Sequence, residues 1–127
     1  MNKLTYIIEG ANFDTIEGFY NEISKVLIPG KYWGRNLDAF NDILHGGFGT
    51  PDEGFIIVWK KAKKSKTDLG DKATLEWLEK KLNDIHPTNI PIWEKRIALA
   101  KLNHGDTLFM ILVDIILEHE DIELRLQ

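Results

Sequence analysis

Apolar residues recur along this chain in distinct rhythms, and each rhythm assigns an element. The short run Lys3-Leu4-Thr5-Tyr6-Ile7-Ile8-Glu9, ended by Gly10, predicts a first strand. Ile16, Phe19, Tyr20, Ile23, Val26 and Leu27 then recur at helical spacing, with Asp14 as the expected N-cap and Pro29-Gly30 as the stop. A second helix runs from about Asn36, its cap, to His45. It points Leu37, Phe40, Ile43 and Leu44 one way and Asp38, Asn41, Asp42 and His45 the other. After the turn-rich stretch His45–Pro51, Phe55-Ile56-Ile57-Val58-Trp59 is unbroken in its apolarity. Such a run predicts a strand buried on both faces, as in a helix-covered parallel sheet. Two helices between two such strands allow the crossover that parallel pairing needs.

The second half repeats the helix-then-strand order. Leu75, Leu78, Leu82 and Ile85 keep helical spacing, His86–Pro91 turns the chain, and Trp93, Ile97 and Ala100 line a further helix. Residues 68–103 thus read as a helical hairpin, with Trp77 and Trp93 as its expected core. Leu108 through Leu117 is apolar except for Asp114. At this length a covered helix is a better reading than a buried strand, and the run is too short to span a membrane. Ile122-Glu123-Leu124-Arg125-Leu126 alternates with period two, as a strand with one face in solvent does. The expected fold is a single α/β domain over residues 1–127. It has three parallel strands near residues 3–9, 55–59 and 121–126, helices covering the sheet, and the hairpin inserted at 68–103.

A chain of 127 residues suffices for one such domain without staples. It has no cysteine, which excludes disulfides and thiolate metal sites and favours a reducing compartment. The apolar stretch at the start is too short for a signal peptide, so cytoplasmic residence is expected. The net charge of −4 conceals a segregation. Residues 1–59 carry eight acids and four bases, residues 60–103 six acids and eleven bases, and residues 104–127 six acids and one base. If the fold brings the acidic ends together, the resulting negative face attracts a cationic cleft and repels phosphate backbones.

The candidate chemistry concentrates in the second helix. Asp38 lies in the first turn, where the helix dipole favours it. Asp42 lies towards the negative end, four residues from a like charge, at a cost of a few tenths of a kcal/mol. Local penalties of that kind collect where a partner offsets them. Elsewhere the signals are thin. The glycines around Phe48 lack the lysine and hydroxyl residue of a P-loop. His45, His86, His104 and His119 show no metal-ligand spacing, and Ser24 and Ser65 lack a nucleophile setting, so no cofactor or metal is expected. Two other functions fit some of the residues. One is nucleic-acid binding through Lys60–Lys66 and the hairpin; the other is a magnesium-dependent phosphodiesterase with Asp38, Asp42 and Asp114 as ligands. The second lacks a basic motif for a phosphoryl transition state.

Tyr32, Gly34, Asn36, Leu37, Asp38, Ala39, Asp42 and Leu44, with Trp33 as an aromatic replacement, resemble the corresponding run of the barstar family of intracellular ribonuclease inhibitors in type and spacing. Residues 1–59 carry the resemblance best and residues 104–127 more weakly. It implies a barstar-like fold and a non-catalytic immunity protein of the toxin–antitoxin kind, whose partner is a basic ribonuclease or related toxin domain. It further implies that Tyr32, Trp33, Gly34, Asn36, Asp38, Asn41, Asp42 and His45 meet the partner. Register from the last strand adds Asp114, where barstar has a helical glutamate. This chain departs from the family pattern at Asn41, which stands for a tryptophan, and at His45, which stands for a threonine. At Gly47 an aromatic is missing, with Phe48 as its substitute one step on. These changes remove apolar area from the rim, where shape discriminates between partners.

Overall fold

A computed structural model describes residues 3–46 and 49–127. Its sheet has three strands, β1 (Thr5–Glu9), β2 (Ile56–Lys60) and β3 (Glu123–Leu126), all parallel, with β2 in the centre. The register sets Ile7 beside Val58 and Val58 beside Arg125. Between β1 and β2 come α1 (Ile16–Val26) and α2 (Leu37–Leu44). Between β2 and β3 come α3 (Ala62–Asp68), α4 (Asp71–Leu82), α5 (Ile90–Lys101) and α6 (Leu108–Leu117). The expected strands are thus present, each shortened or shifted by one to a few residues.

One contiguous core joins alternate residues of the sheet, Tyr6, Ile8, Ile57, Trp59 and Leu124, to the inner faces of α1, α2 and α6. Trp59 is its hub. Its ring stacks on Phe19 at 5.3 Å and meets Phe109 edge-on at 5.1 Å, while its Nε1 donates to Ser65 Oγ at 3.0 Å. Phe19 in turn meets Phe40 of α2 edge-to-face at 5.4 Å. Three elements distant in sequence are thereby fixed to β2 by aromatic pairs, each worth about 0.5–1.5 kcal/mol beyond the area they bury.

The alternate sheet positions Thr5, Ile7, Glu123 and Arg125 are exposed, so the core covers one face of the sheet and not both. The unbroken apolar run of β2 therefore has a different cause from the one expected. Val58 is buried outside the main core cluster, flanked by Ile7 and Arg125, because a central strand is shielded by its neighbours on either side. A second correction concerns α1, which is capped by Thr15 and not Asp14: Thr15 Oγ1 accepts from the Gly18 N–H at 3.0 Å. Asp14 lies one residue too early for an Ncap side chain to reach the orphan donors of the first turn.

Gly10 follows β1 where the chain runs against the end of β2. A Cβ there would stand 2.6 Å from the Lys60 carbonyl oxygen and 2.8 Å from that of Lys61, so only glycine fits. Buried Glu22 of α1 accepts from the Glu9 N–H at 2.9 Å and from Asn12 Nδ2 at 3.2 Å, locking the same corner. The lysine run divides its labour. Lys64 Nζ donates to the Gly10 and Phe13 carbonyls at 3.1 and 2.8 Å and pairs with Asp68, although it is exposed like Lys60, Lys61, Lys63 and Lys66.

Helices α4 and α5 form the expected hairpin around a small core of Leu78, Ile97 and Ala100, with Trp77 and Trp93 in ring contact at 5.9 Å. Trp77 also packs against the main core. Helix α6 begins with Thr107 Oγ1 accepting from the Met110 N–H and seats Leu108, Phe109, Leu112 and Ile116 inward.

Candidate functional site

The loop into α2 is built from the inside outwards. Trp33 is 5% exposed, packs edge-on against Tyr20 at 5.6 Å, and donates from Nε1 to Ser24 Oγ at 2.6 Å. Its neighbour Tyr32 is 88% exposed. Two aromatics in a row thus take opposite roles, one anchoring the loop to α1 and the other standing in solvent. The Trp33 ring is a core group that fixes the loop. Gly34 lies close under α2, where a Cβ would come within 3.1 Å of Ala39 Cβ. Arg35 holds a left-handed backbone at φ +53°, a conformation that costs a non-glycine residue roughly 1–2 kcal/mol.

Asn36 caps α2, its Oδ1 accepting from the Ala39 N–H at 2.8 Å, and the Asp38 carboxylate follows in the first turn. Asn36 and Gly34 therefore shape the surface rather than supply charge to it. Asp38 and Asp42 both face solvent from α2, one helical turn apart, and neither is in an ion pair among the described residues. The inward residues Phe40, Ile43 and Leu44 hold the helix in the core, so this acidic face sits on a rigid support.

At its far end α2 is tied to the turn after α6. His119 is 9% exposed, and its Nε2 is 2.7 Å from Asn41 Oδ1. Because that oxygen can only accept, Nε2 carries the proton. The His45 ring meets His119 edge-on at 4.7 Å. Burial pushes the His119 pKa below its ordinary value, and the neighbouring His45 pushes it the same way, while Asp121 and Glu118 oppose them. Asn41 is thus committed to a structural bond, and His45 is exposed beside it. No local pattern in the sequence marks His119 for this role, since its partner lies 78 positions away.

Asp114 is exposed on α6, which packs against α2, and Glu118 is exposed one turn beyond it. The structure thus brings the acidic ends of the chain to adjoining helices, as the charge segregation suggested. Asp38, Asp42 and Asp114 do not form a metal cage: among the described residues no group of three histidines or carboxylates is placed to hold an ion. Gly47 and Phe48, the expected rim substitution, lie outside the described residues. Also among the described residues, no helix is long and apolar enough to cross a membrane.

Arg35, Asn36, Leu37 and Asp38 also border a cleft of about 960 Å³ whose other wall is the hairpin, with Trp77 and Trp93. Nothing in the linear sequence joined these segments.

Comparison with known proteins adds two findings. The family described as Barstar (barnase inhibitor) matches residues 4–94, a stretch that holds the loop, all of α2 and the first helix of the hairpin. A Bacillus subtilis (strain 168) protein named "Putative ribonuclease inhibitor YrdF" is 37% identical over 67 residues, which is 53% of this chain and 70% of that one.

Proposed function

The chain belongs to the barstar (barnase inhibitor) family, and from that premise we propose that it is an immunity protein that occupies the active site of a basic ribonuclease with the acidic face of α2. The carrying observation is that Asp38 and Asp42 stand exposed, with no ion pair among the described residues, on a helix whose opposite side is buried at Phe40, Ile43 and Leu44. A ribonuclease must hold an RNA backbone, so its cleft is cationic, and carboxylates on a rigid helix can take the place of phosphates there. Tyr32 offers an exposed aromatic ring on the loop that leads into α2, and His45, the C-cap of α2, continues the stripe of Asp38 and Asp42. Asp114 adds a third carboxylate from α6, beyond the residues that the family match covers.

The left-handed turn at Arg35, the core-anchored Trp33 and the Asn36 cap present these groups without a large ordering cost on binding. In this reading the chain acts in the cytoplasm, where it protects its host from a toxin nuclease. The relative's name, with its reference to ribonuclease inhibition, supports the class of partner.

The test is inhibition of RNA cleavage by barnase and by ribonuclease toxin domains encoded beside the gene, measured over a range of salt. The expected result is inhibition of at least one of them, with an association rate that falls steeply as salt rises. Failure to inhibit any of them, or inhibition indifferent to both salt and Asp42→Ala, overturns the reading.

A further inference from the structure

The hairpin cleft shares residues with the acidic face but carries the opposite charge on its far wall. Arg35 and Asp38 line it on the α2 side, with Glu17 and Tyr20 of α1. Trp77, Lys80, Lys81, Trp93 and Arg96 line it on the hairpin side, with Asp84 at the hairpin's end. Four cations and three carboxylates therefore border one space. None of the seven is in an ion pair among the described residues, where the pairs are Lys25–Glu22, Lys64–Asp68 and Arg125–Glu123. The Arg96 guanidinium lies 4.7 Å from the centre of the Trp93 ring.

This arrangement is at odds with simple acid-into-base recognition. Asp38 lines the same cleft as Lys80, Lys81 and Arg96, so a basic nuclease seated on Asp38 comes up beside those cations. Like charges facing each other at an interface weaken binding unless the partner presents acids at that point. We infer that the cleft receives an acid-bearing loop of the same nuclease, whose carboxylates meet the hairpin cations while its active site takes the α2 carboxylates. The inference rests on the function proposed above. A single-stranded nucleic acid would also find stacking surfaces and cations here, but Glu17, Asp38 and Asp84 share the space and repel a continuous phosphate chain. A peptide loop of mixed charge satisfies both walls. The hairpin then selects among nucleases, admitting those with an acidic rim and rejecting those whose rim is wholly basic.

The experiment uses the full chain, with a catalytically inactive form of the ribonuclease that the wild-type chain inhibits as the first probe and a ten-nucleotide oligouridylate as the second. Lys80→Glu/Lys81→Glu reverses two exposed charges at the end of α4. If that variant melts early, Lys80→Gln/Lys81→Gln provides the same comparison. The expected result is nuclease binding weakened by about tenfold or more, mainly through faster dissociation, with an effect that multiplies that of Asp42→Ala. Nuclease affinity unchanged within about twofold overturns the inference and leaves the inhibitor reading standing. Oligouridylate bound by the wild type and lost in the variant, with nuclease affinity unchanged, makes the cleft a nucleic-acid groove and also overturns it. If the wild-type chain binds no nuclease, the inhibitor reading itself fails and this inference falls with it.

Discussion

Asp42→Ala separates partner binding from folding. The carboxylate is exposed, accepts no hydrogen bond and makes no ion pair among the described residues, and it lies in the second half of an eight-residue helix. Within the free protein it faces the negative end of the helix dipole and a like charge at Asp38. Replacement by the best helix former should therefore leave stability unchanged or raise it by a few tenths of a kcal/mol. Binding should respond in the opposite sense. A carboxylate about 4 Å from a cation at an effective dielectric near 20 gains about 4 kcal/mol, and its loss strands the partner's charge. A cost of roughly 2–5 kcal/mol corresponds to an affinity loss of about 30-fold to several thousandfold. Charge pairs between barnase and barstar, the archetype of this family, show couplings on that scale. Phe40→Ala is the control. The ring is fully buried against Phe19, so its removal should cost about 3–5 kcal/mol of stability and lower the melting temperature by roughly 10–20 °C. The assay is thermal unfolding beside ribonuclease inhibition for both variants. If Asp42→Ala melts well below the parent yet inhibits normally while folded, Asp42 is a structural acid and the site assignment is wrong.

Other perturbations test the supports of that face. Trp33→Ala removes a buried ring and its bond to Ser24, so unfolding should show a loss of about 3–5 kcal/mol; a change below about 1 kcal/mol would mean that the ring is not the loop's anchor. Gly10→Ala should destabilise by roughly 1–3 kcal/mol, since the new methyl collides with the Lys60 carbonyl, and urea unfolding that matches the parent would refute the close approach. The His119 pKa is lowered in the folded chain, so the unfolded chain binds the extra proton more readily. The stability linked to it is present above pH 6.5 and lost as pH falls through the lower folded value. His119→Gln should flatten that part of the stability profile between neutral and acid pH, and a profile parallel to the parent's would remove His119 from the account.

Local rules determined a large part of this protein. The spacing of Leu37, Phe40, Ile43 and Leu44 fixes which side of α2 is buried, and Asn36 begins the helix because its side chain reaches an amide three residues on. The same short reach explains why the helix at 108–117 and the last strand are legible in the sequence, although Met110 and Leu117 leave that helix less covered than its apolar run implies. Periodicity marks a face but does not say what lies against it. Hence Tyr32 and Trp33, adjacent and both aromatic, could not be told apart until Tyr20 and Ser24 were seen to take the Trp33 ring. Nor could the run through Val58 distinguish a strand covered by helices on both sides from a central strand shielded by its neighbours, because both bury the same residues. The tie of His119 to Asn41 and the meeting of Asp38 with Lys80, Lys81 and Arg96 across one cleft belong to the tertiary structure alone. They join segments far apart in the chain, and side-chain bonding and charge act through space, at distances that sequence separation does not encode.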